Sequence, residues 1–524
     1  MTYSLLGLLV AGSLGMPSAL ALQVTEDLTL LAPDGQADDR FGAALAGSGA
    51  LLLVGAPGAD DLGQASGSAY VLVADTGAQV HELHAADGAA GDGFGATVAL
   101  DGGLALVGAP SADVAGADSG AVYVFDAGTG AQLHKLVPAD AATGDLFGGA
   151  VALADGLIVV GAIAADGVGP DAGAAYLFDA ATGAQLHKLV PGDASFLGGF
   201  GGAVDLDDGR VAVGAKTADT STMFSGAAYL FDAATGAQTH KLQPQLAVAW
   251  AGFGCDVAID DATVVVGAKD EGPHGKHSGA AYLFDAGSGQ QAAKLFPADG
   301  TVFDRFGTTV AAGGGLVVVG APDDAGGGSA YLYDAQGGLL TKLLASGAAS
   351  GDDLGAAMAV DGGLVALGAP GTDDLGSASG AVLLFAGGAS VVPMSGCLPN
   401  AGTLVHAGGL PVPGQGLTFI LADGQPGASV ALLALATAAA PGWPACGLPL
   451  GQAGELLVDP SPGSLLPLQT TAYTGVPAVV QVPVPALSGL AGLPVYAQAA
   501  FLAAGTAEPL RLSGGLMLTL GGFL

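Results

Sequence analysis

The sequence predicts an all-β protein, namely a seven-bladed β-propeller of four-stranded blades followed by a smaller β domain. Three observations support this prediction. One sequence unit recurs along residues 24–386, it occurs seven times, and each copy divides into short apolar segments separated by glycine-rich turns. A fixed period indicates a repeat architecture, and four short strands per unit are typical of a propeller blade.

The repeat is marked by Phe-Gly pairs. Six pairs begin at intervals of 53 residues, and a seventh copy, Leu354-Gly355, follows after 48. The six begin at Phe41, Phe94, Phe147, Phe200, Phe253 and Phe306. A Gly-Ala pair lies fourteen residues after each start, and proline follows it in four copies. Chance does not place seven copies at one offset, so each copy is one structural unit.

The second copy shows how a unit divides into strands. We predict strands at 94–100, 104–107, 121–125 and 132–137. The turn Asp101-Gly102-Gly103 favours a tight hairpin, because glycine accepts the positive φ that such turns require.

The seventh copy lacks a fourth strand, because Ala386-Gly387-Gly388 follows its third segment directly. An unassigned strand, Glu26–Ala32, precedes the first Phe-Gly pair and resembles the fourth strands of the other copies. We therefore predict that this N-terminal strand completes blade seven. Such a closure joins the two ends of the ring and removes two open sheet edges.

These motifs make residues 24–386 resemble the FG-GAP repeat family, whose best-known members form the head of integrin α chains. The resemblance implies a seven-bladed propeller and a binding or adhesion role. Integrin-type repeats hold Ca²⁺ in a D-x-D-x-D-G-type loop between their first two strands, and the corresponding loops here are short. The nearest approach is Asp205-Leu206-Asp207-Asp208-Gly209, which occurs once. No cofactor is therefore expected, although Ca²⁺, which takes six to eight oxygen ligands, could bind elsewhere.

The acidic residues concentrate in the longer loops, which the strand order places on one face of the propeller. Long loops on a rigid scaffold commonly carry function, so this face is the predicted binding surface for an extracellular protein or glycan. The alternative is that these residues form turns, as aspartate commonly does. The predicted residues are Asp34, Asp39, Asp60, Asp61, Asp87, Asp92, Asp113, Asp140, Asp145, Asp166, Asp219, Asp323, Asp324, Asp373 and Asp374.

The N-terminus reads as a secretory signal over residues 1–21. An apolar stretch reaches Leu22, and Ala19-Leu20-Ala21 supplies the small-x-small pattern of a cleavage site, although Met1–Ser4 carries no Lys or Arg. We expect a secreted or cell-surface protein. No later segment has the roughly 18 uninterrupted apolar residues of a membrane span.

Charge is one-sided, with 12 Lys and Arg against 47 Asp and Glu, giving −35. Such a chain repels phosphate backbones, so nucleic acid is not an expected partner. We expect a monomeric propeller.

The repeat stops near Ser390. We predict a linker at 387–396 and a second domain at 397–524, where six or more short strands suggest a β-sandwich. Cys397 and Cys446 could form a disulfide there in an oxidising compartment. The segment from Cys397 to Asn400 and the one from Gly514 to Gly521 resemble a domain that ends many exported bacterial proteins, which implies attachment, sorting or stabilisation.

No catalytic constellation emerges: the sequence has no G-x-S-x-G elbow, no H-E-x-x-H and no phosphate-binding glycine loop. His81, His134, His187 and His240 recur once per unit and are expected to be structural, while His274 and His277 could coordinate a metal. The sequence therefore favours a non-catalytic binding or adhesion protein. Two alternatives stay open, a secreted polysaccharide-acting enzyme and a structural envelope component.

Overall fold

The computed structural model describes residues 23–385 apart from positions 27, 75, 168, 194–197, 219–221 and 362–363. Further along it describes backbone strands alone. These are Val391–Met394, Thr403–His406, Gly416–Ala422, Ala428–Ala436, Leu448–Pro449, Glu455–Leu456, Gln469–Ala472, Ala478–Pro483, Pro494–Ala503, Leu510–Leu512 and Gly515–Thr519. The predicted signal segment and the Cys397–Cys446 disulfide lie outside the described residues, and the C-terminal β-sandwich stays a prediction.

Residues 28–385 form the predicted seven-bladed propeller, in which each blade is a four-stranded antiparallel sheet. The first strands pack around a common axis, and the first strand of blade seven packs against that of blade one. In blade order the first strands are Ala44–Ser48, Thr97–Asp101, Phe147–Ala154, Phe200–Asp207, Phe253–Asp260, Val310–Gly313 and Ala357–Asp361. The second strands are Leu51–Ala56, Leu104–Ala109, Leu157–Ala162, Arg210–Ala215, Thr263–Ala268, Leu316–Ala321 and Leu364–Ala369.

The outer half of each blade consists of its third and fourth strands. The third strands are Ser68–Val73, Ala121–Asp126, Ala174–Asp179, Ala227–Asp232, Ala280–Asp285, Ser329–Asp334 and Ala381–Phe385. The fourth strands of the first six blades are Gln79–Leu83, Gln132–Leu136, Gln185–Leu189, Gln238–Leu242, Gln291–Leu295 and Leu339–Leu344. In blade two the predicted hairpin is present, because Asp101 pairs with Leu104 across Gly102 and Gly103, both at positive φ.

The N-terminal strand closes blade seven, as the strand count predicts. Its extent is Leu28–Leu30, shorter than the predicted Glu26–Ala32, and Leu30 pairs antiparallel with Val382 of the third strand. The chain immediately before it forms a second strand that the sequence did not indicate. Gln23–Thr25 pairs in parallel with the outer edge of blade six. The N-terminal segment is therefore paired with the sheets of both blade six and blade seven.

The hydrophobic core lies between the blades. In the described part of the chain, buried apolar residues form seven clusters, one at each interface between neighbouring blades. At the first interface, Leu53 and Val71 of blade one share a cluster with Val107 and Tyr123 of blade two. The Phe94 ring meets Tyr123 edge to face, with centroids 5.6 Å apart. This arrangement is favourable for aromatic pairs and recurs in the first six blades.

Helices are absent from the described residues, so none of that part of the chain is a candidate membrane-crossing helix.

The closing strand provides the first test. Leu30 is buried at the interface of blades seven and one, whereas Thr29 on the same strand is exposed. Leu30→Ala should lower the free energy of unfolding by about 2–5 kcal/mol, because a buried leucine leaves a cavity. Thr29→Ala should stay within about 0.5 kcal/mol of wild type. Urea unfolding of both variants measures this, and equal stability of the two would contradict the closure.

Candidate ligand-binding face

The long loops pair with each other across every blade boundary. The loop between the second and third strands of one blade runs beside the loop that leads into the next blade. At the first boundary, the Gly91, Gly93 and Phe94 amides donate to the Gln64, Ala65 and Ser66 carbonyls at 2.9, 3.2 and 3.0 Å. Equivalent bonds recur at other boundaries. The long loops therefore form one hydrogen-bonded layer on a single face, as the strand order predicts.

The predicted acids just before the Phe-Gly pairs build this layer. Asp39, Asp92 and Asp145 are buried, and their carboxylates accept the backbone amide three residues earlier at 2.6, 2.9 and 2.7 Å. Burial raises the pKa of each carboxyl, and the amide hydrogen bonds partly offset that effect. These side chains close turns and present little surface to a ligand.

The acids farther back in the same loops anchor them to the outer strands. Tyr123 donates its hydroxyl to Asp87 Oδ1 at 3.0 Å, and Lys135 Nζ lies 2.5 Å from Asp87 Oδ2. Burial raises the pKa of the Asp87 carboxyl, but the bonds from Lys135 and Tyr123 outweigh it and hold that pKa below its usual range. Asp140 pairs with Lys188 in the same way at 2.6 Å. In blade one, Asp34 accepts from the Tyr70 hydroxyl at 3.0 Å.

Most predicted acids after the Gly-Ala pairs also bond to their own loop. Asp60, Asp113, Asp166 and Asp373 each accept the amide five residues later, at 2.7 to 3.1 Å. This hydrogen bond is the turn-forming role that aspartate commonly plays.

The remaining acids of that group differ from one another. Asp61 accepts from the Ser68 hydroxyl at 2.6 Å, and Asp323 pairs with Arg305 at 3.2 Å. Asp324 pairs with Lys342 at 2.7 Å. The Asp374 backbone bridges to Gly376, and Asp219 lies outside the described residues. The described acids thus bond mostly within their own loops or to the outer strands, and a ligand role for the predicted set stays a prediction.

Aromatic side chains on this face escaped the sequence analysis. Trp250 is 60% exposed and packs against Phe224, with ring centroids 4.5 Å apart and the ring planes tilted by 47°. One repeat farther on, Phe303 is 50% exposed and lies 5.7 Å from the His277 ring. All four residues have positive φ. Comparing repeats would have found two of them, because Gly91 and Gly144 stand where Trp250 and Phe303 occur.

Three of the four histidines that recur once per unit bridge neighbouring blades. His81, His134 and His187 place Nε2 2.9 to 3.3 Å from a backbone carbonyl of the next blade, a structural role. The other pair does not share a metal-binding geometry. His274 packs against Phe296, while His277 Nδ1 lies 3.1 Å from Asp270.

A cavity of about 230 Å³ lies on the propeller axis and is lined by residues from all seven blades, mostly Gly, Ala, Val and Thr. Asp256 belongs to its lining, and Asp205 lies on the neighbouring first strand. Each carboxylate bridges two blades: Asp205 accepts the Ile259 amide and Asp256 the Val310 amide, both at 2.7 Å. Burial raises the pKa of both carboxyls to about 7, despite these hydrogen bonds.

These two carboxyls make stability depend on pH. Their folded pKa lies above the ordinary value of 3.8, so the folded protein retains protons that the unfolded chain releases. The stability they contribute is complete below about pH 4 and is lost as the pH rises through about 7.

Asp205→Asn and Asp256→Asn should each flatten the fall in unfolding free energy between pH 4 and 7. Asp155→Asn, in an exposed turn, is the control. An unchanged pH dependence of the unfolding free energy in both variants would contradict the raised pKa of these two carboxyls.

Comparison with known proteins agrees with this geometry. The family model described as FG-GAP repeat matches residues 24–72, 78–125, 131–178, 184–231, 237–284, 290–333 and 338–385. Each match runs from the fourth strand of one blade through the third strand of the next, so the seven matches are offset from the seven blades by one strand. Together they cover more than half of the chain. A search among curated proteins found no match. The chain belongs to the FG-GAP repeat family.

Proposed function

We propose that this protein is a non-catalytic extracellular binding or adhesion protein, and that its long-loop face holds the ligand at the aromatic residues of blades four to six. The FG-GAP propeller fold is consistent with such a role. The observation that carries the proposal is the pair of exposed aromatics, Trp250 and Phe303, at backbone positions suited to glycine.

Trp250 and Phe303 both adopt a backbone conformation that is unfavourable for a residue with a side chain. Trp250 has φ +62° and Phe303 has φ +71°, whereas Gly91, Gly144 and Gly351 occupy the same turn position in other copies. A left-handed conformation costs a non-glycine residue roughly 1–2 kcal/mol. The fold therefore does not require an aromatic residue at this position.

The side chains of Trp250 and Phe303 are also exposed to solvent. Half or more of each side chain faces solvent, so burial in this chain does not repay the backbone strain. Strained residues cluster at binding sites, and tryptophan is enriched among residues that dominate binding energy. The Met223 carbonyl accepts the Trp250 amide at 3.2 Å, and the Met223 side chain is also 60% exposed. Leu246, four residues before Trp250 in the same loop, is 84% exposed. We infer that this apolar surface is retained for contact with a ligand.

The acidic loops set the chemistry around the aromatics. Several loop carboxylates are exposed, and the chain carries a net charge of −35. Carboxylates accept hydrogen bonds from hydroxyls and pair with cations, so a glycan or a basic protein surface suits the face. The apolar segment at residues 1–21 supports export, which places such ligands within reach.

A polysaccharide-acting enzyme is the second candidate, because Asp256 lines the axial cavity with a pKa raised to about 7. A carboxyl with that pKa suits general acid catalysis. Its Oδ2, however, already accepts the Val310 amide and joins two blades. The structural role explains the residue without a substrate, so binding is the better supported function.

The test uses the intact protein on arrays of polysaccharides and extracellular proteins. Trp250→Gly and Phe303→Gly should each weaken binding of the captured ligand at least tenfold. Both should keep stability within about 1 kcal/mol, since glycine fits the turn but gains freedom in the unfolded chain. Leu133→Ala is the control, because Leu133 is 47% exposed on an outer strand away from the loops. Unchanged affinity in both glycine variants would refute the binding face, and polysaccharide cleavage lost in Asp256→Asn would favour the enzyme.

A further inference from the structure

Blade one differs from blades two to six in the charge at one position of its fourth strand. In blades two to six the residue paired with the third-strand tyrosine is a lysine, as in Tyr123 with Lys135 and Tyr331 with Lys342. In blade one the partner of Tyr70 is Glu82. A negative side chain thus replaces a positive one within an otherwise repeated arrangement.

In the sister blades this lysine places a positive charge at a defined spot. Its Nζ lies 4.8 to 5.4 Å from the tyrosine ring centroid and beside a carboxylate. The carboxylate is kept even where the loop changes. Blade five has Leu246 at the usual aspartate position, and Glu271 from another loop pairs with Lys294 instead. A cation at this spot is therefore a regular part of the blade.

Blade one keeps the acids of this arrangement but lacks its lysine. Asp34 accepts from Tyr70, and Asp61 accepts from Ser68 on the same strand. Glu82 is half-buried, and one of its carboxylate oxygens lies within 4.8 Å of a carboxylate oxygen of Asp61. The site thus concentrates negative charge where the neighbouring blades hold an ammonium group.

A histidine completes the cluster. His84 Nε2 lies 3.3 Å from Glu82 Oε1, and the Ser68 hydroxyl lies 3.3 Å from His84 Nδ1. The sister blades have Val137, Val190, Gln243, Phe296 and Leu344 at this position. Ligand atoms of Asp61, Glu82 and His84 all lie within 4.8 Å of one another. Two carboxylates and one imidazole form a mixed donor set that suits a first-row divalent metal.

We propose that blade one binds a divalent transition-metal cation through Asp61, Glu82 and His84, in place of the lysine ammonium of the sister blades. The site lies beside the second-to-third-strand loop, on the outer half of the blade. It is independent of the aromatic surface proposed for ligand binding. The competing arrangement is the contact between His84 and Glu82 without a metal, and the experiment separates the two.

The test counts metal ions on the full-length protein after chelation and reloading with Zn²⁺ or Mn²⁺, using native mass spectrometry and calorimetric titration. Glu82→Lys and His84→Val each restore a residue that sister blades carry, so both variants should fold. Each should bind one equivalent fewer than wild type. His134→Ala, which removes an outer histidine of blade two, should bind as wild type does and controls for surface histidines.

Thermal unfolding gives a second readout. A ligand that binds only the folded state raises its melting temperature, so metal should raise that of wild type more than that of Glu82→Lys. The same metal count in wild type, Glu82→Lys and His84→Val would overturn the proposal. That result would leave the contact between His84 and Glu82 as a structural feature of blade one.

Discussion

The whole propeller depends on a close backbone contact at the joint between blades. At the second joint a Cβ on Gly120 would lie 2.0 Å from the Phe147 carbonyl oxygen, and one on Gly108 would lie 2.3 Å from the Gly148 oxygen. No side chain fits these spaces. This contact lets the Phe147 amide reach Ser119 in the preceding blade while the ring packs within its own blade. Gly108 of the Gly-Ala pair and Gly148 of the Phe-Gly pair therefore meet at the same joint.

This joint explains how the loop face is built. Once the Phe-Gly segment is fixed, the two long loops at each boundary lie side by side and hydrogen-bond to each other. The loop carboxylates mostly bond within that layer, as Asp92 and Asp113 do. The side chains at the turns of this layer can change without disturbing its hydrogen bonds. Trp250 and Phe303 lie at such turns. Glu82 likewise alters the charge of blade one while its strand keeps the pairing with the third strand.

The features that could be predicted from the sequence are those that the repeat carries. Regular spacing indicates seven blades, and the missing fourth strand of the last copy indicates that Leu28–Leu30 closes the ring. The parallel strand Gln23–Thr25 has no counterpart in the repeat, so its pairing with blade six could not be inferred. Aspartate forms turns and binds ligands equally well, so spacing alone does not give the role of Asp92. The role of Asp205 depends on an amide 54 residues away, in the next blade.

The joint is tested most directly at two glycines that have the same backbone conformation but different room for an added Cβ. Gly120 has φ +81° with the Phe147 carbonyl against it, whereas Gly144 has φ +84° with no atom within 4 Å of an added Cβ. Alanine at either position incurs the left-handed cost of roughly 1–2 kcal/mol. The account predicts that Gly120→Ala also forces the blades apart and loses several kcal/mol more in urea unfolding. Equal losses in the two variants would contradict it.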